Sequence, residues 1–171
     1  MEIAFAGCAL LVAAAFITDI KSMKIPNKLT IPAILCGITY HLIASGWSGA
    51  LFVGKGLAAG FSILFVMYWI GAVGAGDVKL FGGIGAWTGM MFTIQTLLYS
   101  ILFAGLIGIM ILLWRRETLS RLREVVRGIA GFFLLKDVDI LKNWSKEQIR
   151  FPFMLAVVPG IICAYIYAFP Y

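Results

Sequence analysis

Residues 50–80 read ALFVGKGLAAGFSILFVMYWIGAVGAGDVKL. Positions 50–73 carry a single charge, Lys55, and a helix of about 20 mostly apolar residues is enough to cross a bilayer. The run ends at Gly74-Ala75-Gly76-Asp77 and the chain resumes as Val78-Lys79-Leu80. A carboxylate therefore sits where one apolar segment stops and the next begins. Five further apolar runs surround this one, at 3–17, 30–46, 78–93, 96–114 and 151–171. The first and fourth are short as counted, and each abuts an aspartate, so the helix is expected to extend past the charge.

Composition supports lipid as the solvent. Of 171 residues, 62% are hydrophobic and 13% charged, against about 25% charged in a soluble domain, and the mean hydropathy is +1.00. So few charges could not cover the surface of a soluble globule, and disordered chains are polar and charge-rich. The expected fold is an all-α membrane protein, a bundle of six transmembrane helices in one polytopic domain, 1–171. Run 3–17 follows Glu2 and lacks the basic start of a signal peptide. Gly56 with Gly60 and Gly85 with Gly89 form GxxxG pairs suited to close helix packing.

The basic residues give an orientation. Lys21, Lys24 and Lys28 follow the first run, Lys79 follows the third, and Arg115, Arg116, Arg121, Arg123, Arg127, Lys136, Lys142, Lys146 and Arg150 fill the block 115–150. Thirteen of the 14 Lys and Arg thus occupy alternate connections. Lys55, the exception, lies near the outer end of its run and can snorkel. By the positive-inside rule both termini lie outside, in a prokaryotic cytoplasmic (inner) membrane. The net charge of +6 then marks topology rather than nucleic-acid binding. Block 115–150 is expected to be a cytoplasmic or interfacial helical segment between helices five and six. Residues 115–127 continue helix five, and the apolar 129–135 are too short to span. Its charge reads as topology alone or as attraction to anionic lipid or an acidic partner.

Cys8, Cys36 and Cys163 form no CxxC pair, and His41 is the only histidine. This excludes a disulfide scaffold and a His-based zinc site, and no metal or cofactor is expected. Six of the eight acidic residues sit in plainly polar places; Asp19 and Asp77 instead close apolar runs. An ionisable residue at such depth is a functional candidate. Each also has a plain reading. Asp77 can be the N-cap of the following helix, and Asp19 a boundary residue offset by Lys21. Taken together they lie on one side at similar depth. Two carboxylates sharing a low-dielectric site cannot both ionise easily, so one keeps its proton. Such a pair can activate water with one oxygen and protonate a leaving group with another. Gly74 and Gly76 are expected to turn the backbone sharply and let a substrate strand approach. In Ile25-Pro26-Asn27-Lys28-Leu29-Thr30 the proline favours extended backbone before it, and Asn27 or Thr30 can cap the second helix.

Asp19 followed by Ile25-Pro26-Asn27, then Gly74-Ala75-Gly76-Asp77 with Val78-Lys79-Leu80, resembles the type IV prepilin peptidases, membrane aspartic proteases of the GxGD class. Gly82, Gly85, Ala86 and Gly89 fit the glycine-rich helix after the motif, and Pro152 resembles the proline that leads into the last helix. The resemblance runs from residue 19 to about 160. It implies Asp19 and Asp77 as the catalytic pair and Gly74, Gly76, Pro26, Asn27 and Pro152 as structural support. The implied substrate is the basic leader of a prepilin or pseudopilin, cut at the cytoplasmic membrane face. Lys79 has two readings, binding or orienting substrate or simply offsetting Asp77. Longer members of the family carry paired CxxC motifs and N-methylate the new terminus. This chain has no CxxC and no long loop between its first two runs, so it resembles the short peptidase-only branch of Tad/Flp-type pili and preflagellin processing, without methyl transfer. A proton- or cation-coupled transporter using the two aspartates and an inert assembly scaffold are the competing classes. Oligomeric state is left open.

Overall fold

The computed structural model describes residues 2–69, 71, 73–114 and 152–168. They form four helices and, among the described residues, no strand: α1 (Glu2–Ser22), α2 (Asn27–Trp69), α3 (Ala75–Trp114) and α4 (Met154–Ala168). By length and composition, α1, α2 and the Ala75–Ile111 part of α3 can each cross a membrane, and α4 is a shorter apolar helix. Block 115–150, expected as a cytoplasmic or interfacial insertion, lies outside the described residues.

The six apolar runs map onto four helices because two of the helices are each two segments joined across a glycine. Gly46 in α2 has φ 55° and ψ −130°, and Gly89 in α3 has φ 78° and ψ 179°. The first break falls at the expected end of run 30–46. The second falls at Gly89, not in the expected connection at 94–95, because Gly89 alone in that stretch has a positive φ. The Gly46 break reverses the chain. Residues 41 and 49 would lie about 12 Å apart along a straight helix, yet a Cβ on Gly49 would collide with the carbonyl oxygen of His41. The GxxxG pair Gly85 and Gly89 packs as a pair against Gly56, and Gly89 in addition bends the helix.

The first segment of α3 is the centre of the bundle. Residues 81–86, Phe-Gly-Gly-Ile-Gly-Ala, are all buried, so this helix has neighbours on every side. A Cβ on Gly56 would strike the carbonyl of Gly85, and one on Gly60 the carbonyl of Phe81, which sets the second segment of α2 antiparallel to α3. The first segment of α2 lies along another side, where Gly37 meets Ala86 and the Trp87 indole donates to the Ala33 carbonyl at 3.0 Å. On α1, Gly7 faces the Trp87 ring and Leu11 faces Gly83. α4 meets the first segment through Phe153 against Phe81, ring centroids 6.5 Å apart, and the second segment of α3 through Gly160 against Ser100.

Burial follows this plan. Leu11, Ala15, Leu64, Leu80, Phe81, Ile84, Met154 and Val157 form one core cluster. The outer surface is apolar: Leu10 is 74% exposed, Ile43 82%, Trp69 86% and Met91 75%. In water a continuous apolar surface of this kind would drive association; in a bilayer it is the solvated face.

Close approach at Gly56 yields a stability prediction. Gly56→Ala gains about 1 kcal/mol of helix propensity but places a methyl on the Gly85 carbonyl, and overpacking costs about 1–3 kcal/mol or more. The variant is expected to melt lower than wild type in detergent. Gly54→Ala, on the same segment with nothing within 4 Å of a Cβ, is expected to melt at or above wild type.

Candidate active site

The antiparallel register of α1 on α3 places the two singled-out aspartates. Gly7 opposite Trp87 and Leu11 opposite Gly83 step four residues in opposite directions. Two more such steps bring Asp19 level with Ala75, and Asp77 lies about 3 Å along the axis from Ala75 at 1.5 Å per residue. The register thus sets both carboxylates at one end of the bundle.

Asp19 occupies the last turn of α1, which ends at Ser22 with Met23 at φ 49°. Its backbone carbonyl accepts the Met23 N–H at 2.7 Å. The side chain is 5% exposed, and Lys21 is exposed. Its Oδ2 accepts the backbone N–H of Met154, the first residue of α4, at 3.1 Å.

Asp77 is in the first turn of α3 but is not its N-cap. The Gly74 carbonyl accepts the Asp77 and Val78 amides at 3.1 and 3.4 Å, so Gly74 is the cap and Asp77 the third helical residue. From there Asp77 Oδ2 accepts the Gly74 N–H at 3.0 Å, the returning half of a capping box. Each carboxylate thus has its Oδ2 held by a main-chain amide.

The glycines of the Gly-Ala-Gly-Asp motif act differently from expectation. Neither Gly74 nor Gly76 has a positive φ; the sharp turn is made earlier, at Gly71, φ 82°. Gly76 instead lets the α1–α2 connection approach, since a Cβ there would sit 3.1 Å from Ile25 Cβ and 3.3 Å from the Ile25 carbonyl. The space is occupied by this chain's own Ile25, which is buried.

Expected caps for α2 also shift. The Pro26 carbonyl accepts the Leu29 and Thr30 amides at 3.0 and 3.4 Å, so the cap position is Pro26, whose missing N–H costs nothing there. Asn27 is the first helical residue. Its Oδ1 accepts the Lys79 ammonium at 2.7 Å, tying the start of α2 to the start of α3. Thr30 lies inside the helix, and its buried hydroxyl has no hydrogen-bond partner among the described residues. Pro152 precedes α4, and its carbonyl accepts the Leu155 amide at 3.1 Å. Among the described residues no three His, Cys, Asp or Glu are grouped as metal ligands.

Sequence reasoning missed three contributors: Gly71, Ile25 and the Met154 amide. Gly71 lies in a run with several glycines, and a main-chain amide leaves no mark in the sequence.

The model of the type IV leader peptidase family matches residues 5–109, a span that contains both aspartates. The chain belongs to that family. It is 31% identical over 148 residues to a prepilin leader peptidase/N-methyltransferase of Aeromonas hydrophila, covering 78% of this chain and 49% of the relative. Proteins with the same description are similar in Aeromonas salmonicida (strain A449), 31% identical over 153 residues, 81% of this chain and 50% of the relative, and in Bacillus subtilis (strain 168), 36% identical over 97 residues, 54% and 38%. The chain spans about half the length of the Aeromonas relatives it matches. No solved structure matches it.

The Asn27–Lys79 contact is exposed, so its net worth is about 0.5–1.5 kcal/mol. A double-mutant cycle with Asn27→Ala and Lys79→Met, read by thermal melting in detergent, is expected to give a coupling of that size. A Lys79 that only offsets Asp77 would give none.

Proposed function

We propose that this chain is a GxGD-type aspartic endopeptidase that cleaves the N-terminal leader of prepilin-like proteins at the cytoplasmic membrane face. The observation that supports this most directly is the register that levels Asp19 with Ala75–Asp77, at the end of the bundle where α1 stops and α2, α3 and α4 start. Family membership supplies the substrate class, since the relatives are described as prepilin leader peptidases.

In this reading one carboxyl of the pair is protonated and the other ionised, because adjacent like charges disfavour double ionisation. The ionised carboxylate takes a proton from water as the oxygen attacks the scissile carbonyl. The protonated carboxyl supports the developing oxyanion, and a proton then passes to the departing amine. Both Oδ2 atoms are held by main-chain amides, which fixes the carboxylates before substrate arrives. The leader of a substrate whose apolar helix stays in the bilayer reaches this end at the membrane boundary.

We place the protein in the prokaryotic inner membrane as six spans, the halves of α2 and α3 counting separately about Gly46 and Gly89, with both termini outside. The segment 115–150 joins spans five and six on the cytoplasmic side. We assign it to the peptidase-only branch without N-methyl transfer, on the ground that Cys8, Cys36 and Cys163 form no CxxC pair.

Two tests address this reading. Asp19→Asn and Asp77→Asn preserve shape, and each is expected to lower leader cleavage of a co-expressed prepilin in membranes by at least about 100-fold; a variant that still cleaves well would refute the pair. Single cysteines at 22 and 76 are expected to label from the cytoplasmic side and one at 48 from outside. Labelling of 22 and 76 from opposite sides would separate the aspartates and end the proposal.

A further inference from the structure

The geometry points to the first turn of α4, through the backbone N–H of Met154, as the element that positions Asp19 against Asp77. This rests on the reading of Asp19 and Asp77 as the catalytic pair, and it adds a group from outside both sequence motifs.

Asp19 faces an electrostatic conflict. It is a nearly buried carboxylate in the last turn of α1, where the carbonyl end of its own helix disfavours negative charge. A buried carboxylate without a donor is costly. The first turn of α4 resolves the conflict, because unpaired amides and the positive end of a helix dipole lie there. The bond from Met154 N to Asp19 Oδ2, 3.1 Å long and buried, joins residues 135 positions apart.

The same turn is locked to the other half of the pair. The Phe153 ring packs on Phe81, one helical turn beyond Asp77 on the central helix, and Met154 is fully buried in the core cluster. The turn is well formed: the Phe153 carbonyl accepts the Ala156 and Val157 amides at 2.9 and 3.2 Å, so Phe153 is the cap and Met154 the first helical residue. One rigid turn therefore holds Asp19 by a hydrogen bond and α3, near Asp77, by ring packing. Met154 is a positioning residue that acts through its main chain.

The cap geometry supplies the test. Proline is tolerated at the first position of a helix and has no N–H. Met154→Pro thus removes the donor, whereas Met154→Ala removes the same core side chain and keeps the donor. In purified protein acting on a prepilin leader, Met154→Pro is expected to lose between about tenfold and 100-fold in kcat relative to Met154→Ala, with KM within about twofold. Equal kcat in the two variants, with Asp19→Asn inactive, overturns the inference and leaves the peptidase reading standing; an active Asp19→Asn overturns the reading itself. Should Met154→Pro fail to fold, the comparison is made with backbone esters. An α-hydroxy acid at position 154 deletes the donor and keeps the side chain, while also weakening the Phe153 carbonyl as an acceptor. An ester at Leu155, whose amide bonds to the Pro152 carbonyl, is the control. A kcat loss confined to the 154 ester supports the inference, and equal loss at both positions overturns it.

Discussion

The close approach of backbones to the central helix is the constraint on which the rest of this structure depends. Within a bilayer there is no water to drive helices together, so contact must come from packing. Gly56 and Gly60 on α2 meet the carbonyls of Gly85 and Phe81, and Gly37 meets Ala86. A side chain at any of these points would push a helix outward. α3 would then no longer be enclosed on every side, and its first turn would no longer be presented where α1 ends.

The aspartate end is made from helix termini. α1 stops at Ser22, α3 starts at Ala75 and α4 starts at Met154. Termini carry unpaired amides, and two of these, on Gly74 and Met154, bind the carboxylates. A polar centre is thereby assembled in an apolar protein mostly from main-chain groups that every helix must satisfy somehow. The α1–α2 and α2–α3 connections beside it are short, and the first is pinned by Ile25 seated on Gly76 and by Lys79 on Asn27.

Much of this was legible in the sequence, and the rest was hidden for physical reasons. Apolar runs mark helices whatever their partners, so the helical character and the ends near Asp19 and Asp77 follow from residue type alone. The GxxxG pair of Gly56 and Gly60 was readable because only close packing needs small residues four apart. Gly89 fits the same pattern and packs against Gly56, but it also bends the helix, and a spacing rule gives no sign of a positive φ. Asp77 was misplaced by a few residues within its cap, because Gly74 caps with its backbone and has no side chain to reveal it. The partner of Asp19 was invisible altogether: an amide is present at almost every residue, and only the fold selects which one points at the carboxylate.

The opposite end of the bundle is built in another way. There α2 reverses at Gly46 and α3 bends at Gly89. The bend at Gly89 interrupts the helical hydrogen-bond ladder near the Trp87 carbonyl, and His41 Nε2 donates to it at 3.0 Å, while the Phe52 ring fills the space beside Gly89. Side chains from α2 thus staple the bend of α3, and the Trp87 indole adds a second staple to Ala33. The molecule therefore has a stitched end and a pinned end. Side-chain substitutions therefore loosen the stitched end, whereas only changes to the main chain remove the amides that hold the two aspartates.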